Sequence, residues 1–131
     1  MTKSEASSDS NDTTFPRRPV EVDKYVDTFL TVVCDTSRRY ILELLAIPTA
    51  SEPDLPEKRS GDIARAINLS PATTSEHLKH LVTIGLVSSR REGNVVYYRL
   101  RNQTLVRAFQ TLVKALDDNY ALENTSRESE N

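Results

Sequence analysis

Between Leu69 and Gly85 the chain fixes both ends of one helix and then abandons helical periodicity, and this change limits the folds open to it. Ser70 suits an N-cap, because its hydroxyl can accept from a backbone N–H that lacks a partner in the first turn. Pro71 follows at the first helical position, where its missing N–H costs nothing. Thr74, Leu78, Leu81 and Val82 recur at i, i+4, i+7 and i+8 as one buried stripe, and Gly85 stands where a left-handed residue ends such a helix. Past Gly85 the period drops to that of a strand. Leu86–Arg91 and Val95–Leu100 alternate β-branched, aromatic and polar residues around Glu92-Gly93-Asn94, which reads as a β-hairpin. Upstream, Ser60 caps a short helix to about Ile67 with Ile63, Ala64 and Ile67 inward, and Asn68-Leu69-Ser70 makes a tight turn. Short helix, turn, second helix and hairpin give a helix-turn-helix with a wing.

The remaining segments read as mounting for this unit. Val22, Val26, Phe29 and Val33, with Tyr25 and Leu30 alongside, predict a first amphipathic helix from Val20 to Val33. Asp35 can cap a second, about Thr36 to Ile47, with Tyr40, Ile41, Leu44 and Leu45 buried and Pro48 after its end. Pro48 to Arg59, with Pro53, Pro56, Glu52, Asp54 and Glu57, is a loop by composition and long for a compact helical domain. Asn102 can cap a last helix from Gln103 to Ala121, with Leu105, Phe109, Leu112 and Leu116 on one stripe and Val106, Val113 and Tyr120 beside it. That band is wider than one small domain needs, and a helix from a second subunit covers the excess economically. The expected architecture is mainly α with about five helices and a two-stranded β wing, homodimeric. It occupies residues 20–121, between a disordered N-terminal tail over 1–19 and a disordered acidic tail over 122–131, both polar and without apolar periodicity.

A chain of 131 residues with 37% apolar content supplies one core of modest size. No run approaches the ~18 apolar residues that span a bilayer, and the N-terminal stretch lacks the apolar segment of a signal peptide, so a soluble, cytoplasmic chain is expected without a membrane partner. One cysteine excludes an intramolecular disulfide framework. The net charge of −2 conceals a polarised molecule. Between Ser60 and Arg101, six basic residues (Arg65, Lys79, Arg90, Arg91, Arg99, Arg101) oppose Asp62, Glu76 and Glu92, whereas from Asp117 onward five carboxylates oppose Arg127 alone. A basic centre in an acidic chain points to double-stranded DNA, since phosphate contacts supply most non-specific affinity.

The face of the capped helix opposite its buried stripe carries Ala72, Thr73, Glu76, Lys79, His80 and Thr83, small or hydrogen-bonding and without a large apolar side chain. Such a face fits a major groove, where small side chains allow close approach and polar ones meet base edges. Ser70, Ala72, Thr73, Ser75, Glu76, Lys79 and His80 are therefore the candidates for reading bases or phosphates, and Arg90, Arg91 and Arg99 for holding the wing to the DNA backbone. Arg17 and Arg18 can reach phosphates or serve only a solvated linker. The alternative is a winged helix used for protein contacts, with Glu76 and the acidic tail discouraging DNA. Enzymatic function is not expected, because no acid/base pair or nucleophile–base spacing is present.

With Cys34 to Leu45, Ser70 to Leu81 and Gly85 to Leu100 in view, the sequence resembles the ArsR/SmtB family of transcription regulators over about Val20 to Tyr120. Thr73, Ser75, His77, Leu78 and the wing run carry the most specific likeness. The resemblance implies a homodimeric repressor of a near-palindromic operator, paired through its first and last helices and released by an effector that the sequence does not name. That assigns Val22, Val26, Phe29, Leu105, Phe109, Leu112 and Leu116 to the dimer seam.

Departures from the family pattern bear on the effector. The best-known metal sensors of the family carry a Cys-x-Cys in the short helix before the turn, where Asp62 to Ile67 has neither thiol nor imidazole. Another class places Asp and His ligands on the last helix, which here has only Asp117 and Asp118, so no metal and no cofactor is expected. Glu76 stands where the family often has Arg or a small polar residue; it either accepts from a cytosine amino group or tunes down phosphate attraction. His77 and His80 share i, i+3 spacing, but His77 matches a family motif position at the edge of the buried stripe and reads as a packed imidazole. Cys34 reads as a small buried apolar residue, the alternative being a redox-active thiol near Arg38 and Arg39. Family thiol sensors pair a cysteine near the second helix with another in the last, and Cys34 has no such partner in the chain.

Overall fold

The computed structural model describes residues 15–48 and 56–130. Most of the expected N-terminal tail and much of the proline-rich loop lie outside the described residues; 15–19 form no regular element. Five helices and three strands follow: α1 (Val20–Val33), α2 (Thr36–Leu45), β1 (Lys58–Arg59), α3 (Ser60–Ile67), α4 (Pro71–Thr83), β2 (Val87–Glu92), β3 (Val95–Leu100) and α5 (Gln103–Glu130). The strands form one antiparallel sheet in the order β1-β3-β2. Among the described residues no helix is long and apolar enough to cross a membrane.

Local chemistry accounts for most boundaries. Asp35 accepts from the Arg38 backbone N–H at 3.0 Å and so starts α2, while Arg38 and Arg39 reach back to the Val32 and Val33 carbonyls at 3.1 and 3.2 Å. Two cations thereby satisfy carbonyls at the C-terminal end of α1, where the helix dipole favours positive charge. Asn68 takes a left-handed conformation (φ 60°, ψ 50°) and ends α3, with the Leu69 N–H donating to Ala64 O at 3.0 Å. Asn102 accepts weakly from the Leu105 N–H at 3.4 Å at the start of α5.

The core is assembled where α2, α3, α4 and the sheet meet. Ile41, Leu45, Ile63, Leu78, Leu81 and Leu86 are fully enclosed, joined by Val32 and Val33 from α1 and by Val106 from α5. Phe29, Leu105 and Phe109 pack on its margin. α4 and the sheet are therefore fixed to one body, which sets their relative position.

The structure corrects several expectations. Lys58 and Arg59, read as the end of a loop, form β1 against Tyr98 and Tyr97, so the wing belongs to a three-stranded sheet; a strand of two residues is too short to show alternation. Ser60 is the first residue of α3 and its side chain makes no cap; Arg59 stands at the N-cap position. α2 ends at Leu45, and Tyr40 and Ile47, expected with the α2 core, are exposed. Cys34 is exposed at the α1–α2 junction and not a buried apolar residue, because the short connection holds it outside the packed turn. The acidic segment after Ala121 continues α5 to Glu130. No Gly or Pro interrupts Gln103–Glu130, and Asn119–Glu123 and Lys114–Asp118 link side chains at i, i+4 at 3.1 and 3.0 Å, which sustains a helix that composition alone assigns to a tail.

Candidate nucleic-acid interface

α4 begins as its sequence requires. The Ser70 hydroxyl accepts from the Thr73 N–H at 3.1 Å and donates to the Thr73 hydroxyl at 2.9 Å, with Pro71 opening the helix. Its end is equally well defined. Gly85 has φ +81°, its N–H donates to Val82 O at 3.0 Å, and the Leu86 N–H donates to Leu81 O at 3.1 Å, the paired pattern of a Schellman motif. Leu86 accordingly turns into the core beside Leu81, and β2 starts at once.

Between these caps the two faces separate. Thr74, Leu78 and Leu81 are buried, and Ala72, Thr73, Ser75, Glu76, Lys79 and His80 are exposed, as is Ser70 at the cap. The proposed reading residues thus share one solvent-facing helix, stabilised from behind by the core. His77 is different. Its side chain is 15% exposed, and its Nδ1 accepts from Arg38 Nε at 3.2 Å, with an Asp35 carboxylate oxygen at 4.0 Å. Accepting at Nδ1 leaves the ring neutral with its proton on Nε2. The contact ties α4 to the start of α2, so His77 acts as part of the mounting. The Thr74 hydroxyl is buried without a hydrogen-bond partner among the described residues.

The wing is tighter than a three-residue turn. Glu92 pairs with Val95, leaving Gly93 and Asn94 as the connection, with positive φ at Gly93 and not at Asn94, as in a type II′ turn. Register divides its cations between the two faces of the sheet. Arg90 lies opposite Tyr97 and Arg99 opposite Ser88, on the face that also carries Arg59; Arg91 lies opposite Val96 on the other face, with Tyr98 and the buried Val87–Leu100 pair.

Arg90 and Arg99 meet on a residue that sequence reading passes over. Arg90 holds Glu57 with both prongs of its fork, Nε to Oε2 at 3.0 Å and Nη2 to Oε1 at 2.9 Å, and Arg99 Nη2 reaches Oε2 at 3.2 Å. Arg90 also donates to Glu92 at 3.0 Å and lies over the Tyr97 ring, 4.6 Å from its centre. The Arg90 hydrogen bonds, with the charges of both arginines, hold the Glu57 carboxyl below the usual carboxylate range, and the same bonds push the Arg90 guanidinium further up. Arg91 makes no hydrogen bond or ion pair among the described residues and is the exposed cation at the wing tip. Asp62, bonded by Arg59 and Arg65, is likewise held low, Arg59 contributing most.

Among the described residues no group of three or more His, Cys, Asp and Glu side chains is placed to hold a metal ion. α1 and α5 present apolar side chains to solvent: Val22, Tyr25 and Leu30 on the first, and Leu112, Leu116, Tyr120 and Leu122 on the second. Val26, Phe29, Leu105 and Phe109 are partly covered by their own domain. The expected seam residues thus divide into an inner group against the core and an outer group open to solvent.

A capped helix displaying a small polar face, seated on a helix-turn-helix body with a β wing, defines a winged helix-turn-helix protein. The family model for the bacterial regulatory proteins of the arsR family matches residues 35–89. The arsenical resistance operon repressor of Staphylococcus aureus is 34% identical over 89 residues, covering 68% of this chain and 78% of that protein. The chain belongs to the ArsR family. The cadmium resistance transcriptional regulatory protein CadC of Listeria innocua is 49% identical over 41 residues, 31% of this chain, and the match spans 34% of that relative's length. Among solved structures, the homodimeric winged helix-turn-helix DNA-binding domain Mb0332 of Mycobacterium bovis superposes with a TM-score of 0.63 at 28% identity, covering 81% of this chain and 90% of that one.

Proposed function

We propose that the chain is a transcriptional repressor that binds double-stranded DNA as a homodimer at a near-palindromic operator, without the usual metal sites of its family. The observation that carries this reading is the exposed face of α4, where Ala72, Thr73, Ser75, Glu76, Lys79 and His80 stand clear of the core between two firm caps. Small and polar side chains at the start of a rigid helix can enter a major groove and meet base edges, while Arg91 at the wing tip engages phosphate or the adjoining minor groove. Dimerisation is supported by the apolar side chains that α1 and α5 leave uncovered, with Val22, Leu112 and Leu116 at the outer edge of a seam that Val26, Phe29, Leu105 and Phe109 back from within. A similar protein that is homodimeric and binds DNA supports the same assembly. Two protomers would place their α4 helices about one helical turn, ~34 Å, apart on the duplex.

Titration of the purified chain against a random duplex at low salt, followed by fluorescence anisotropy, tests this. Retention that weakens steeply as salt rises is the expected result. A chain that leaves the duplex unbound at low salt favours the protein-contact reading of the same winged helix.

A further inference from the structure

Arg90 and Arg99, which a DNA-binding wing offers to phosphates, already hold an anion. Glu57 reaches them from the residue before β1, where Pro56 is buried and Lys58 is paired to Tyr98, so its backbone is fixed beside the wing. Its side chain is 13% exposed and accepts from both guanidiniums. A bidentate guanidinium on one strand and a second guanidinium on the neighbouring strand is the donor set that recognises a phosphate's paired oxygens equally well. With Glu92 as a further acceptor, this face of the wing carries two cations matched by two carboxylates. Arg91, on the opposite face, keeps its charge uncompensated by an ion pair among the described residues.

We propose that Glu57 sets the strength with which the wing holds DNA: its carboxylate occupies a two-arginine anion site, and a backbone phosphate engages Arg90 and Arg99 only by displacing it. The proposal rests on the DNA-binding reading given above. A cation already neutralised by a tethered carboxylate releases no counterion when DNA arrives, so Arg90 and Arg99 add little to the salt dependence of the wild-type chain, and Arg91 supplies the wing's share. Replacing the carboxylate by its neutral isostere returns both arginines to the phosphates. Each returned contact steepens the slope of log K against log salt by about 0.9, and the two together make affinity fall about tenfold further between 50 and 200 mM salt.

The test measures binding of a random duplex by wild type, Glu57→Gln, Arg90→Ala and the double variant across that salt range, with circular dichroism confirming that each is folded. Glu57→Gln is expected to bind more tightly at low salt with a steeper slope. Arg90→Ala should change little alone and should cancel much of the gain in the Glu57→Gln background. Wild-type binding with an unchanged or weaker Glu57→Gln overturns the proposal alone, and makes Glu57 a brace for the arginines. If no variant binds the duplex, the DNA-binding reading falls and the proposal falls with it.

Discussion

Replacing Gly85 by alanine isolates a purely conformational cost at the point where α4 hands the chain to the wing. Gly85 has φ +81°, and a Cβ built on it meets nothing within 4 Å. No clash therefore enters the account, and the penalty is torsional. Holding an L-residue in the left-handed region costs roughly 1–2 kcal/mol. Against this, alanine reduces the freedom of the unfolded chain, which returns roughly 0.4–1 kcal/mol. The net loss is about 1 kcal/mol, which for a chain of this size lowers Tm by about 4 °C. Asparagine tolerates the left-handed region better and should lose less, whereas valine, stiff at χ1 and β-branched, should lose more. Urea unfolding followed by circular dichroism at one protomer concentration measures the series, with the m-value expected to stay constant. Equal stability of glycine, asparagine and alanine would refute the left-handed assignment. A loss above about 3 kcal/mol would refute the open space, because only steric or packing damage reaches that size.

Asp35→Ala removes the α2 cap and should cost about 1 kcal/mol at neutral pH. The Arg38 N–H holds the Asp35 carboxyl below its ordinary range, so the stabilisation is complete above the unfolded pKa near pH 4 and is lost as pH falls through the lower folded value; a deficit that stays constant from pH 7 to pH 2 would contradict this. Leu112→Glu with Leu116→Glu, at positions 52% and 60% exposed, should leave the helix content intact and shift sedimentation from dimer to monomer; an undisturbed dimer removes these residues from the seam. Arg91→Ala should weaken binding to all duplexes and reduce the salt slope by about 1. Thr73→Ala should instead change which sequences are preferred, while the Ser70–Thr73 N–H cap and overall stability are kept; equal effects on all sequences would count against base reading by Thr73.

The parts of the fold that sequence reading anticipates are those determined locally. The Ser70 and Asp35 caps, the left-handed Gly85, the Val20–Val33 helix and the change of period into the hairpin each depend on residues a few positions apart. What escapes it is set by distant partners. The Glu57–Arg90 contact spans 33 positions, and its carboxylate looks like any other in an acidic loop until β1 fixes it beside the wing. β1 itself has no pattern because two residues cannot alternate. Composition also misreads the segment after Ala121, where polar residues without a breaker extend α5. In the interface, the exposed face of α4 follows from its period, but the division of Arg90 and Arg91 between the two sheet faces needs the strand register.

The most direct test of the central claim is a footprint of the chain on the DNA upstream of its own coding sequence. Two protected patches on one face of the duplex, centred about one helical turn apart, are the predicted result for a dimer presenting two α4 helices. Absence of protection there, together with no retention on random duplex at low salt, would contradict it.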